Sequence, residues 1–104
     1  MKTDYAGSLV TRSKRSPTVE IDTEASAAYV RFKRARVART VRHSSKWPIA
    51  TFDLDARGEL VGVEFVGVKR FDLAYLLKHV GINLPAQTVA HASYVSAEVD
   101  STPA

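Results

Sequence analysis

Three carboxylates, Asp53, Asp55 and Glu64, fall within one stretch of alternating sequence, and acids converging within a few ångströms could hold a metal ion or share acid and base roles. Spacing argues against convergence. With Asp55, Ala56, Arg57 and Gly58 as a four-residue hairpin loop, Leu54 faces Glu59, Phe52 faces Val61 and Ala50 faces Val63. Glu64 then pairs with Ile49, about 13 Å along the sheet from Asp53. Asp55 suits the first position of a type I turn, where its carboxylate accepts from backbone two residues on, and Gly58 suits the last, where φ turns positive. Asp53 or Glu64 is left to pair with Arg39, which shares a strand parity with Val37 and Val41. Asp53, Asp55, Gly58 and Glu64 are therefore expected to serve a turn and an ion pair, and no catalytic, metal-binding or cofactor residue is assigned.

His43, His79 and His91 show no paired spacing of the kind zinc sites use. Ser44 and Ser45 beside His43 stand in no Gly-x-Ser-x-Gly elbow, and the glycines form no phosphate-cradling loop before a helix. The densest chemical signal is positive charge. Between Arg31 and Lys46 stand seven bases and no acid, and Arg31, Lys33, Arg34, Arg36, Arg39 and Arg42 become candidate contacts to an anionic macromolecule. Glu20, Asp22 and Glu24 precede this run, so cross-strand neutralisation on a soluble edge hairpin is the competing account.

The elements that must position these groups are mostly strands. Val19 and Ile21 alternate with Glu20 and Asp22, and after a polar turn Ala28, Val30 and Phe32 alternate with Tyr29, Arg31 and Lys33. A third strand is expected over about Val37 to His43, followed by a loop in which Trp47 before Pro48 caps a sheet margin. Two more strands flank the Asp55–Gly58 loop. Asp72 is then a natural N-cap, Leu73, Leu76, Leu77 and Val80 keep helical spacing, and Gly81 suits the position after the C-cap. A short helix over Ala86 to Ala92 and a short strand over Ser93 to Val99 complete the pattern. The expected fold is α+β: an antiparallel meander of about five strands with one amphipathic helix on one face.

At 104 residues, 45% hydrophobic and with a formal charge of +4, the chain suits one domain over 18–95, preceded by a flexible basic arm over 1–17 and followed by a frayed tail over 96–104. No apolar run reaches the ~18 residues of a membrane span, and the first residues lack the apolar centre of a secretory signal. With no cysteine, stability rests on packing, and a cytoplasmic location is expected.

The segments Ile21-Asp22-Thr23-Glu24-Ala25-Ser26-Ala27-Ala28-Tyr29-Val30-Arg31, Val37-Ala38-Arg39-Thr40-Val41 and Phe52-Asp53-Leu54-Asp55-Ala56-Arg57-Gly58-Glu59-Leu60-Val61-Gly62-Val63-Glu64 together resemble the DUF2283 family of small, mostly bacterial proteins. Asp22, Tyr29, Arg31, Arg39, Thr40, Asp53, Asp55, Gly58, Gly62 and Glu64 stand at matching positions, while Ser26 replaces an aspartate of the opening motif. The likeness covers about Val19 to Val68. It implies a small antiparallel sheet and no established activity, and an antitoxin-type role, because some relatives look like neighbours of small toxin-like proteins.

The expected function is that of a small non-enzymatic interaction module, dimeric because one helix leaves a sheet edge or face open, binding an acidic protein partner through the basic hairpin. Tyr29, Val37, Val41 and Trp47 are the candidates for the homodimer contact. Nucleic-acid binding through arm and hairpin is the alternative, and a small hydrolase centred on Asp53 ranks third. No cofactor and no membrane contact are expected.

Overall fold

The segment around Gly58 folds as a tight hairpin that sets the register of the sheet centre. The computed structural model describes residues 4–5, 16–43 and 48–96. In chain order the elements are β1 (Asp4–Tyr5), β2 (Thr18–Asp22), β3 (Ala27–Arg31), β4 (Arg39–His43), β5 (Ile49–Leu54), β6 (Leu60–Val66), α1 (Leu73–His79), α2 (Ala86–Ala90) and β7 (Ser93–Ser96). The strands form one mixed, mostly antiparallel sheet in the order β1-β4-β5-β6-β3-β2-β7, with parallel pairing only where β1 meets β4 and β7 meets β2. This is an α+β fold, as expected. Its order departs from a run in chain sequence at three places, where β1 meets β4, β7 meets β2 and, within the expected meander, β3 pairs with β6 rather than with β4.

The register of the central hairpin differs from the expected one by two residues: Phe52 faces Val63, Ala50 faces Phe65 and Thr51 faces Glu64. Two local features each contribute one step. Asp55 and Glu59 close the turn, with Asp55 N donating to Glu59 O and Gly58 N to Asp55 O, so the loop has three residues and Leu54 faces Leu60. Gly58 takes φ +82°, the left-handed residue that follows a type I turn in such loops. A bulge between Asp53 and Leu54 supplies the second step and lets Leu60 and Val61, adjacent in sequence, both be buried. A shift of two preserves parity, so Phe52, Leu54, Val63 and Phe65 still face one core.

That core is closed by α1. The Asp72 carboxylate accepts from Tyr75 N, and Leu73, Leu76 and Leu77 are buried. Gly81 N donates to Lys78 O and Ile82 N to Leu77 O, a Schellman pair that turns the chain so that Ile82 re-enters the core. Phe32, just past β3, and Val89 of α2 fill its margins. No helix among the described residues is long and apolar enough to cross a membrane.

The sequence expectations for 86–92 and 93–99 correspond to α2, which ends two residues earlier than read, and β7, described as far as Ser96. Within the 1–17 arm, Asp4–Tyr5 pairs with Arg42 and His43 at the sheet margin, and Pro17 is buried with its carbonyl accepting from Ser93 N. The rest of the arm, Trp47 with its expected lid role, and the tail beyond 96 lie outside the described residues.

Ser26, in the β2–β3 turn, has φ +52°, a left-handed conformation that a Cβ disfavours. Ser26→Gly is expected to stabilise the fold by about 1 kcal/mol and Ser26→Val to destabilise it by a similar amount, read from urea midpoints at unchanged slope.

Candidate functional site

Because β3 lies beside β6, the chain must cross the end of both β6 and β5 to reach β4. Residues 32–38 make this crossing as an extended strap over the Asp55–Glu59 turn, held by Phe32 N to Val61 O at 2.8 Å and Ala38 N to Leu54 O at 2.8 Å. Lys33 latches it: its Nζ lies 2.6 Å from Asp55 Oδ2 and 2.8 Å from Glu59 Oε1. The Asp55 carboxylate also accepts from Arg57 N and Glu59 N. The Lys33 bond, then the Glu59 amide, hold the Asp55 carboxyl below its ordinary range, while Asp55 and then Glu59 raise the Lys33 ammonium above its own.

Lys33 engages both turn acids but offsets only one of their two charges, and with Arg34, Arg36, Arg39 and Arg57 beside it the five bases against two acids leave this end a net +3. Arg34 and Arg36 on the strap, Arg39 at the start of β4 and Arg57 in the turn are exposed. None of their guanidinium groups makes an ion pair or hydrogen bond among the described residues. Arg57 was not singled out from sequence; it stands eighteen positions after Arg39, and the pairing of Arg39 with Leu54 brings the two to the same end.

The six basic residues expected to act together are thus divided. Arg34, Arg36 and Arg39 sit at the sheet end, and Lys33 is consumed by the turn. Arg42 lies on β4 opposite Thr51, and Arg31 projects from β3 with its guanidinium carbon 5.1 Å from the centroid of the Tyr29 ring. No β3–β4 hairpin exists, and the expected basic hairpin is replaced by the strap. The expected cross-strand neutralisation also takes another route, since Glu20 faces Tyr29 and Lys33 bonds acids of a turn far along the chain.

Asp53, on the helix-free face, is tied down by neutral groups. Tyr29 Oη donates to Asp53 Oδ2 at 2.8 Å and Thr40 Oγ1 donates to Asp53 Oδ1 at 2.7 Å. The Tyr29 ring reaches Asp53 by lying across Gly62, where any Cβ would overlap Tyr29 Oη, Cζ and Cε2. Burial first, then the bond to Asp53, raise the Tyr29 phenol far above its ordinary value, so it stays protonated and is no base at neutral pH.

The expected Arg39–Asp53 pair is not formed: Arg39 faces Leu54, and strand alternation puts it on the opposite side of the sheet from Asp53. The corrected register brings Glu64 to a diagonal position from Asp53, about 7–8 Å away rather than 13 Å. Tyr29, directly opposite Glu64, occupies the intervening surface. Among the described residues no group of three or more His, Asp and Glu side chains could hold a metal.

Two histidines unrelated by spacing do meet. His43 and His79 have ring centroids 6.3 Å apart, His43 edges Phe52, and His79 stacks on Tyr75 with its Nε2 buried and without a hydrogen bond. Fold and site together define a small α+β protein with an arginine-bearing strap. The chain matches no family model, no curated protein and no solved structure.

Two outcomes follow from the Tyr29 bond. Of the four tyrosines, Tyr29 is expected to ionise last in an alkaline absorbance titration, and Asp53→Asn to lower its midpoint without returning it to the ordinary value. Its folded value lies above the unfolded one, so its stabilisation is complete below about pH 10 and is lost as pH rises through the folded value. Gly62→Ala is expected to cost roughly 1–3 kcal/mol by displacing the ring, and much less in a Tyr29→Ala background, read as a double-mutant cycle of unfolding free energies.

Proposed function

We propose that this protein is a non-enzymatic interaction module that docks an acidic protein segment against the arginines of the 32–38 strap. The observation that carries the proposal is that Arg34, Arg36, Arg39 and Arg57 are exposed and without carboxylate partners among the described residues, while Lys33 fixes the strap beneath them. Guanidinium forks match carboxylates in a bidentate way, and a strap already anchored loses little conformational freedom on binding. Self-association fits the same role: β7 ends the sheet with Tyr94 and Val95 about half exposed, an edge of the kind that pairing with a second copy covers. The residues first expected at such a contact are engaged otherwise or exposed singly, with Tyr29 bound to Asp53, Val41 against the core and Val37 exposed on the strap. The resemblance to DUF2283 belongs to this proposal too: in its antitoxin-type form this chain is the antitoxin and the acidic partner a small toxin-like protein.

The test uses a fluorescent glutamate-rich peptide and a single-stranded oligonucleotide of equal charge. The peptide is expected to bind, with Arg34→Ala, Arg36→Ala, Arg39→Ala and Arg57→Ala each weakening it severalfold and flattening its salt dependence, and Arg42→Ala leaving it unchanged. Stronger binding of the oligonucleotide, with a log-linear salt slope that falls by about one per arginine removed, would replace the acidic partner with a nucleic acid.

A further inference from the structure

At the end of the sheet away from the strap, the β2–β3 turn and the connection from β6 to α1 enclose a cleft of about 360 Å³. Ser26 O accepts from both Gly67 N and Val68 N at 2.9 Å, so the two walls are fastened together. The floor is apolar, built from Ile21, Ala28, Val68 and Phe71, and two opposite charges line it: Asp22 from the turn side and Lys69 from the connection. These charges do not pair with each other, and Lys69 makes no ion pair among the described residues. Asp22 is held in place because its Oδ1 accepts from Ala25 N at 3.1 Å, which leaves its other oxygen for a ligand.

An unpaired acid and an unpaired base sharing one apolar cleft are complementary to a dipolar molecule with an apolar body. The cleft's volume lies at the small end of the range for ligand pockets. We propose that this cleft binds a small zwitterion with an apolar side chain, the chemistry of an apolar α-amino acid, with its ammonium on Asp22 and its carboxylate on Lys69. Either charge alone would compete poorly with water for a small ion; burial of the ligand's apolar body on the shared floor supplies the further gain.

Titration with L-leucine followed by amide NMR tests the assignment. Shifts are expected at residues 22–28 and 67–71 and not at 33–39. L-Leucinamide, which lacks the carboxylate, and N-acetyl-L-leucine, which lacks the ammonium, separate the two contacts. Asp22→Asn keeps the acceptor for Ala25 N and so preserves the turn. It is expected to weaken L-leucine and L-leucinamide about tenfold and to leave N-acetyl-L-leucine unchanged. Lys69→Met is expected to weaken L-leucine and N-acetyl-L-leucine and to spare L-leucinamide. Absence of shifts with L-leucine, L-isoleucine and L-phenylalanine at about 20 mM, or L-leucine binding untouched by both variants, would overturn the proposal.

Discussion

The Asp55 carboxylate ties the central turn to the chain that crosses it. One oxygen accepts the Arg57 and Glu59 amides and so shapes the loop; the other takes Lys33 from the strap. The first pair of bonds starts the β5–β6 register, and so helps decide which side chains of β6 meet those of β5. The Lys33 bond fixes how the chain leaves β3. A strap that must pass two strand ends without a ladder of its own would otherwise be held by few backbone bonds. The group is strongest as an anion, and its depressed pKa means that this support is present above the usual carboxylate range and fades as pH falls through the folded value.

A second cross-link stiffens the face that no helix covers. From β3 across Gly62 of β6 to Asp53 of β5 and Thr40 of β4, neutral hydroxyls satisfy both oxygens of one carboxylate. Asp53 thereby ties β3, β4 and β5 together, each of its oxygens accepting one hydroxyl held in place by the sheet. Arg31 over the Tyr29 ring adds a favourable contact on the same surface and slightly opposes the rise in the Tyr29 pKa.

Much of this was legible in the residues. Alternation located six of the seven strands, and the Asp72 cap, the leucine stripe and Gly81 located α1, because these signals are local. Asp55 and Gly58 were assigned to the turn for the reasons the hydrogen bonds bear out. The register escaped because a three-residue and a four-residue loop look alike when Asp55 can stand either in the loop or in the strand, and because the bulge's one-residue step adds to the loop's and restores parity. The partner of Asp53 escaped for a related reason. Opposite charge suggested Arg39, whereas alternation of faces forbids that pair and favours Tyr29, whose reach depends on a glycine one strand away. His43 and His79 meet across the sheet and helix, a proximity with no counterpart in sequence spacing.

The strand order also determines where charge is left over. A hairpin between β3 and β4 would have placed the basic run beside its own strands, where Glu20 or Asp22 could compensate it. The crossover instead carries Arg34 and Arg36 to a sheet end whose two acids are taken by Lys33, and adds Arg57 from the turn beneath. Asp55 and Glu59 are brought to the strap by the fold and not by sequence proximity, and both bond Lys33, while Asp53 accepts from Tyr29 and Thr40. Unpaired arginines cost little while they remain hydrated, and they attract an anionic surface most strongly when that surface excludes water from them. One lysine bonded to two acids thus gives the strap its fixed course, and four arginines that outnumber those acids give this end its charge.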